Sequence, residues 1–175
     1  INAESDFLVE LLQYGVTAGE RIGEIGAGRG SFSLMLYKLQ PNIALFVNEL
    51  DENDLAVLQD RIDNEKEFDF EDMEPILGDI ESTNMEGYEL DKVIIRNAFH
   101  HFMEKEKMLA SIKRSLKSDG HLYLLEGTKE LAKRNDRCVH AMREKQIVRI
   151  IEENGYELLE EVEIGQDVLL KFRIL

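Results

Sequence analysis

Residues 20–33, Glu-Arg-Ile-Gly-Glu-Ile-Gly-Ala-Gly-Arg-Gly-Ser-Phe-Ser, limit the folds open to this chain more than any other stretch. A short run carrying Ile22 and Ile25 enters glycines at alternate positions, Gly26, Gly28 and Gly30, and an apolar run at 32–39 leaves them. Strand, glycine turn and helix in that order let the backbone come close to a ligand, because glycine has no Cβ and reaches positive φ without strain. The helix that follows aims free N–H groups and its positive dipole end at the turn. Such a place suits a nucleotide-like cofactor or an anionic group. Glu24, just ahead of the first glycine, narrows the choice. A carboxylate there repels phosphate and favours a ligand bearing ammonium or sulfonium charge.

The rest of the chain alternates in the same manner. Phe7, Leu8, Leu11 and Leu12 fall at helical spacing within residues 3–14, with Gly15 as a stop, so an amphipathic helix is expected against the sheet or over the glycine turn. Ser31 or Ser33 is expected to cap the helix after the turn, and Pro41 prevents its continuation. Residues 43–47 form a continuous apolar run, as in a parallel strand buried on both faces. That run ends at Asn48-Glu49-Leu50-Asp51, placing Glu49 19 residues beyond Gly30. An acidic residue about 20 positions past the glycine loop is where βαβ nucleotide folds hold ribose hydroxyls. Asp51 reads instead as the N-cap of a helix over 52–64 that carries Leu55, Leu58 and Ile62.

An acidic connection at 65–74, with Phe68 and Phe70 tucked inward, precedes a third strand at 75–77 that runs into Gly78-Asp79-Ile80. A fourth strand within 88–96 stops at Arg96-Asn97-Ala98-Phe99-His100-His101-Phe102, and a helix is expected over 103–117 with Met108, Leu109, Ile112 and Leu116 inward. Residues 117–120 read as a turn, 122–125 as a fifth strand ending at Glu126, and 127–139 as a polar connection. A helix over 142–154 buries Ile147, Ile150 and Ile151 and closes at Gly155. Two last β runs, 156–163 and 167–174, are joined only by Ile164-Gly165-Gln166, which requires a hairpin and an antiparallel final strand.

This order gives an α/β, Rossmann-like three-layer sandwich, a seven-stranded mostly parallel sheet with an antiparallel C-terminal hairpin strand. Glu24, Glu49, Asp79 and Asn97 then fall at carboxyl ends of successive strands, where ligands of such sheets bind. One ligand along that edge explains them together. The length of 175 residues fits a single domain, with residues 1–18 as an N-terminal helix and 19–175 as the core. A net charge of −15, from 36 acidic and 21 basic residues, disfavours nucleic acid or an anionic membrane as the main partner. Cys138 is the single cysteine, so neither an intrachain disulfide nor a structural zinc site is expected, and no metal is. No apolar run of about 18 residues is present. The sequence starts at Ile1 rather than Met, so a preceding targeting segment stays open and cytoplasmic localisation is the default expectation.

The segment Glu24-Ile25-Gly26-Ala27-Gly28-Arg29-Gly30 resembles the glycine motif of class I S-adenosylmethionine-dependent methyltransferases. Glu49, the pair Gly78-Asp79 and the strand end at 96–102 match that family's later motifs in order, most like small-molecule enzymes of the ubiquinone-biosynthesis and type 11/12 kind. Leu116-Lys117-Ser118-Asp119-Gly120 is similar to the family's Leu-Lys-Pro-Gly-Gly turn, with Ser118 in place of proline. The resemblance spans residues 20–175 and implies S-adenosyl-L-methionine as cofactor and S-adenosyl-L-homocysteine as product. It implies that Gly26, Ala27, Gly28 and Gly30 pass under the methionine portion and that Glu24 faces the amino group, directly or through water. Glu49 would hold the ribose and Asp79 the adenine amine, with Leu50 and Ile80 flanking the ring and the backbone of Arg96 and Asn97 near the methionine end.

His100 and His101 stand where a general base could act, although the favoured reading is that one or both hold the start of the following helix and shape the pocket. The run after the fourth strand lacks the Asn-Pro-Pro-Tyr of amino-methylating nucleic-acid enzymes, and with the acidic balance this points to a small-molecule acceptor. Its pocket would come from residues 1–18 and 127–141, or from a second copy of the chain, the candidate homodimer partner. Lys129, Lys133, Arg134, Arg137, Arg143 and Lys145, with His140 among them, read as a solvated face or as a site for an anionic acceptor. A nicotinamide-dependent oxidoreductase shares the fold but usually spaces its glycines as G-x-G-x-x-G, not G-x-G-x-G as here. A non-catalytic cofactor-binding or assembly domain is the remaining alternative.

Overall fold

The structure, a computed structural model, describes residues 3–131 and 141–175. Helix α1 (Ala3–Tyr14) leads into β1 (Arg21–Ile25), α2 (Ser31–Leu39), β2 (Ala44–Glu49), α3 (Glu52–Asp63), β3 (Met73–Leu77) and β4 (Leu90–Arg96). A 3₁₀ turn (Phe99–His101), α4 (Lys105–Ser115), β5 (Leu116–Glu126), α5 (Glu144–Glu153), β6 (Tyr156–Ile164) and β7 (Asp167–Ile174) complete the order. The strands make one seven-stranded sheet in the order β3-β2-β1-β4-β5-β7-β6. β1, β2, β3, β4 and β5 pair in parallel, and β7 runs antiparallel to both β5 and β6.

The apolar runs of the inner strands are buried on both faces because helices cover both. On β4, Val93 and Ile95 pack with Leu109 and Ile112 of α4 and Ile147 and Ile151 of α5, while Ile94 between them joins the opposite layer. That second layer holds Tyr14 of α1, Phe32 and Leu36 of α2 and Leu58 of α3. Period-two alternation along one strand thus supplies two cores. The expected three-layer sandwich with its antiparallel C-terminal hairpin is present.

Several local expectations differ from what is observed. Within α1 the inner face is Phe7, Leu11 and Tyr14, whereas Leu8 and Leu12 are 61% and 78% exposed. The helix after β4 begins later than residue 103, because Phe99–His101 closes a 3₁₀ turn first. Residues 117–120 are not a turn outside the sheet: Leu116 pairs with Leu90, the register shifts before Lys92, and β5 continues through. A Cβ at Gly120 would lie 2.8 Å from the Leu90 carbonyl oxygen, so this irregular stretch needs glycine to remain against β4. Lys133, Arg134, Arg137, Cys138 and His140 lie outside the described residues.

Candidate functional site

The glycine turn is stitched to the end of β2. Gly26, Gly28 and Gly30 have φ of +73°, +55° and +70°. The N–H groups of Gly26 and Ala27 donate to the Asn48 carbonyl at 3.0 and 3.1 Å. The Gly28 N–H donates to the Glu49 carboxylate at 2.6 Å, and the other carboxylate oxygen accepts from the Leu50 and Asp51 N–H groups at 2.7 and 3.0 Å. A Cβ on Gly26 would come within 2.6 Å of the Ala98 Cβ, whereas one on Gly28 would meet nothing within 4 Å. The first glycine thus lets the turn lie on the end of β4, and the second leaves space for a ligand.

Gly30, rather than Ser31 or Ser33, is the N-cap of α2, and no side chain bonds to the cap. Both serines are engaged elsewhere. The Ser33 hydroxyl donates to the buried Glu24 carboxylate, and the Ser31 hydroxyl accepts from Arg61 at 3.1 Å. Asp51 caps α3 as expected, accepting from the Asn53 N–H at 2.8 Å.

Beyond the carboxyl ends of β1, β2 and β4 opens a cavity of about 280 Å³. Of the residues singled out from sequence, Gly26, Gly28, Glu49, Leu50, Asp79, Ile80, Asn97 and His101 line it. Glu24, Ala27, Gly30, Arg96 and His100 are not among the lining residues. Asn48 and Met103 are, although nothing local to their sequence marked them for the site, and so are Ala98 and Phe102 of the 96–102 strand end, to which the sequence assigned no individual role. Asn97 sits in the left-handed region at φ +49°. Its N–H donates to Leu125 O at 2.7 Å and its side-chain oxygen accepts from the Gly127 N–H at 2.9 Å, tying the ends of β4 and β5 together beside the cavity. One Asp79 oxygen accepts from the N–H groups of Glu81 and Ser82 at 2.7 and 2.8 Å, which fixes the loop after β3.

Behind the cavity lies a charged network. The Arg96 guanidinium holds both oxygens of Glu10 on α1, with Nη2 2.9 Å from Oε2, and stacks over the Phe32 ring at 4.4 Å. The Tyr14 hydroxyl donates to the same carboxylate at 2.7 Å. The Arg96 side chain, to which the sequence assigned no role, thus anchors α1. Burial pushes the Glu24 carboxyl up to about 7, against the opposing influence of the Ser33 hydroxyl and the Arg96 charge.

That shift has a measurable sign. The folded protein holds a proton on Glu24 between its ordinary carboxylate value and about 7, so this residue's stabilising contribution is complete below pH 4.5 and lost as pH rises through 7. Glu24→Gln is uncharged throughout. Its unfolding free energy relative to the native sequence should therefore rise by up to about 3 kcal/mol between pH 4.5 and 8. Urea unfolding of both proteins across that range checks it, and parallel pH profiles would refute it.

Glu126 is the other buried carboxylate at the strand ends. Only 1% exposed, it accepts from the Phe99 N–H at 2.7 Å and lies 2.7 Å from Nδ1 of His100. Burial raises its pKa, opposed by the His100 contact. The His100 and His101 rings are 4.0 Å apart between centroids. Among the described residues no cluster of three or more His, Cys, Asp or Glu side chains could hold a metal ion, and no helix is long and apolar enough to cross a membrane.

Comparison with known proteins gives these likenesses. A family model described as a methyltransferase domain matches residues 23–124. No curated protein matches the chain by sequence. Among solved structures, a SAM-dependent methyltransferase from Aquifex aeolicus is similar with a TM-score of 0.85 and 17% identity, over 96% of this chain and 89% of that one. The glycopeptide N-methyltransferase MtfA complexed with S-adenosyl-L-methionine is similar with a TM-score of 0.78 and 14% identity, over 95% and 86% of the two chains. The [4+2]-cyclase SpnF gives a TM-score of 0.80 at 15% identity, over 97% and 81%. At such identities the structural likeness is one of fold.

Proposed function

The chain belongs to the methyltransferase-domain family, and on that premise we propose that it transfers a methyl group from S-adenosyl-L-methionine to a small-molecule acceptor, releasing S-adenosyl-L-homocysteine. The observation that carries this reading is the single cavity in which the glycine turn, Glu49, Asp79 and Asn97 meet at the ends of neighbouring strands. The residues fit the cofactor. Space lies open above Gly28, carboxylates stand at the ends of β2 and β3, and Leu50 and Ile80, 53% and 42% exposed, offer apolar surface beside them.

Gly26, Ala27, Gly28 and Gly30 let the backbone approach the methionine portion, helped by Asn97 and the Arg96 main chain. Glu49 takes the ribose hydroxyls, Asp79 the adenine amine, and Leu50 and Ile80 flank the ring. Glu24, behind the turn, favours the ammonium group electrostatically once it has ionised, above about pH 7. Bound there, the cofactor supplies an electrophilic methyl group on a sulfonium. The task of the chain's own residues is then alignment, which can supply roughly 7–11 kcal/mol of the barrier reduction in favourable cases. His101, on the cavity wall, is placed to accept a proton where the acceptor must lose one. The net charge of −15 and the absence of Asn-Pro-Pro-Tyr after β4 support a small-molecule acceptor over nucleic acid.

Thermal unfolding with S-adenosyl-L-homocysteine and, separately, with NADH tests the reading. The homocysteine product at a hundredfold excess over its Kd should stabilise the protein by about 2.7 kcal/mol. Stabilisation by NADH alone would overturn the proposal in favour of an oxidoreductase. Incorporation of labelled methyl from the cofactor into acceptors of a small-molecule panel then separates an enzyme from a cofactor-binding domain.

A further inference from the structure

We propose that Glu126 is the positioning residue of the two-histidine wall, acting through His100. The idea rests on the methyltransferase reading for its purpose but not for its geometry. Glu126 ends β5, deep behind the cavity, and both its oxygens are in use: Oε1 accepts from the Phe99 N–H and Oε2 faces Nδ1 of His100, each at 2.7 Å. The first contact fixes the backbone at the entry to the 3₁₀ turn, and the second fixes the ring of its middle residue. A carboxylate that accepts at Oε2 requires the proton on Nδ1, so the neutral His100 ring is held as the Nδ1–H tautomer, with its acceptor lone pair on Nε2.

The orientation passes on by packing. The His100 side chain is only 8% exposed, and its ring lies 4.0 Å from that of His101, tilted by 46°. His101, unlike His100, lines the cavity. From β5 inward the order is therefore Glu126, His100, His101, cavity. Lys105 of α4, over the Phe99 ring at 5.6 Å, is the cation facing the same carboxylate. A buried carboxylate setting the tautomer of one imidazole, which backs a second at the reacting space, makes Glu126 a residue for the direction of proton acceptance rather than for cofactor affinity.

The test uses nitrogen NMR of the histidine rings in the full-length protein at pH 8.5, about two units above the free imidazole value. His100 should show the Nδ1–H pattern. In Glu126→Gln the side-chain amide keeps an oxygen for the Phe99 N–H and turns its NH₂ toward Nδ1, so the proton should move to Nε2. Glu126→Asp, which keeps the carboxylate, should retain Nδ1–H. On titration with S-adenosyl-L-homocysteine, the His101 ring signals should move in the native protein and move less than half as far in Glu126→Gln, while Kd stays within about threefold. An Nε2–H tautomer in the native protein overturns the proposal whether or not the variants fold. So does a tautomer unchanged in Glu126→Gln, or an undiminished His101 response. Failure of the native protein to bind the homocysteine product would count against the methyltransferase reading, and the ligand-free tautomer measurement would still decide the role of Glu126.

Discussion

Gly30→Val is expected to destabilise the protein by about 3–5 kcal/mol, the largest effect of any single change at the glycine turn. Two costs add. The residue has φ +70°, where a β-branched side chain is strained, and its Cβ would lie 2.4 Å from Cδ1 of Leu58. Leu58 is fully buried among Ile22, Leu34, Leu36 and Val47, so it cannot swing away without opening the layer that joins α2, α3 and the sheet. With about 2–4 °C per kcal/mol for a chain of this size, the thermal midpoint should fall by at least 6 °C. Combined with Leu58→Ala, itself costly at a fully buried site, the two losses should sum to less than their separate values, because the neighbour that clashes has been removed. A midpoint within 2 °C of the native value would refute the account.

Gly28→Leu should show the opposite pattern. No heavy atom lies within 4 Å of a Cβ placed there, so the fold loses only the left-handed backbone preference, about 1–2 kcal/mol. The side chain would instead enter the cavity that Gly28 lines. Affinity for S-adenosyl-L-homocysteine is expected to fall by at least a hundredfold, about 2.7 kcal/mol, by calorimetry. Unchanged affinity in a folded Gly28→Leu would remove the cofactor site from this cavity. Two glycines two residues apart thus separate folding from binding: one fits under Leu58 and the other keeps space open.

This contrast also shows what the sequence made legible. The alternation of apolar runs with polar strand ends placed Glu49, Asp79 and Asn97 at one edge, because strand periodicity and parallel topology together determine where carboxyl ends fall. Contacts between side chains far apart in the chain carry no local signal. The Arg96–Glu10 pair spans 86 residues and the His100–Glu126 pair 26, and neither carboxylate stands out by its neighbours. Competition between partners accounts for the missed cap: Ser33 satisfies the buried Glu24 instead of the helix end, a choice visible only once β1 and α2 are packed. The outward turn of Leu8 and Leu12 has a similar origin, since Glu10 must face Arg96 and thereby sets the rotation of α1.

The two borders of the sheet bear on how copies of the chain can meet. The Leu45 N–H donates to Asp72 O and the Gly78 N–H to Glu49 O, so even-numbered residues of β3 face β2 and Pro75 falls on the outer side, with no N–H to give. At the far border β6 carries Glu157, Glu160, Glu161 and Glu163. One rim lacks the Pro75 donor and the other is lined with carboxylates, of which Glu157 and Glu160 pair with Arg173 and Lys171 of β7 while Glu161 and Glu163 add negative charge. Neither therefore invites rim-to-rim growth into fibrils, and copies that assemble are expected to do so through helical faces.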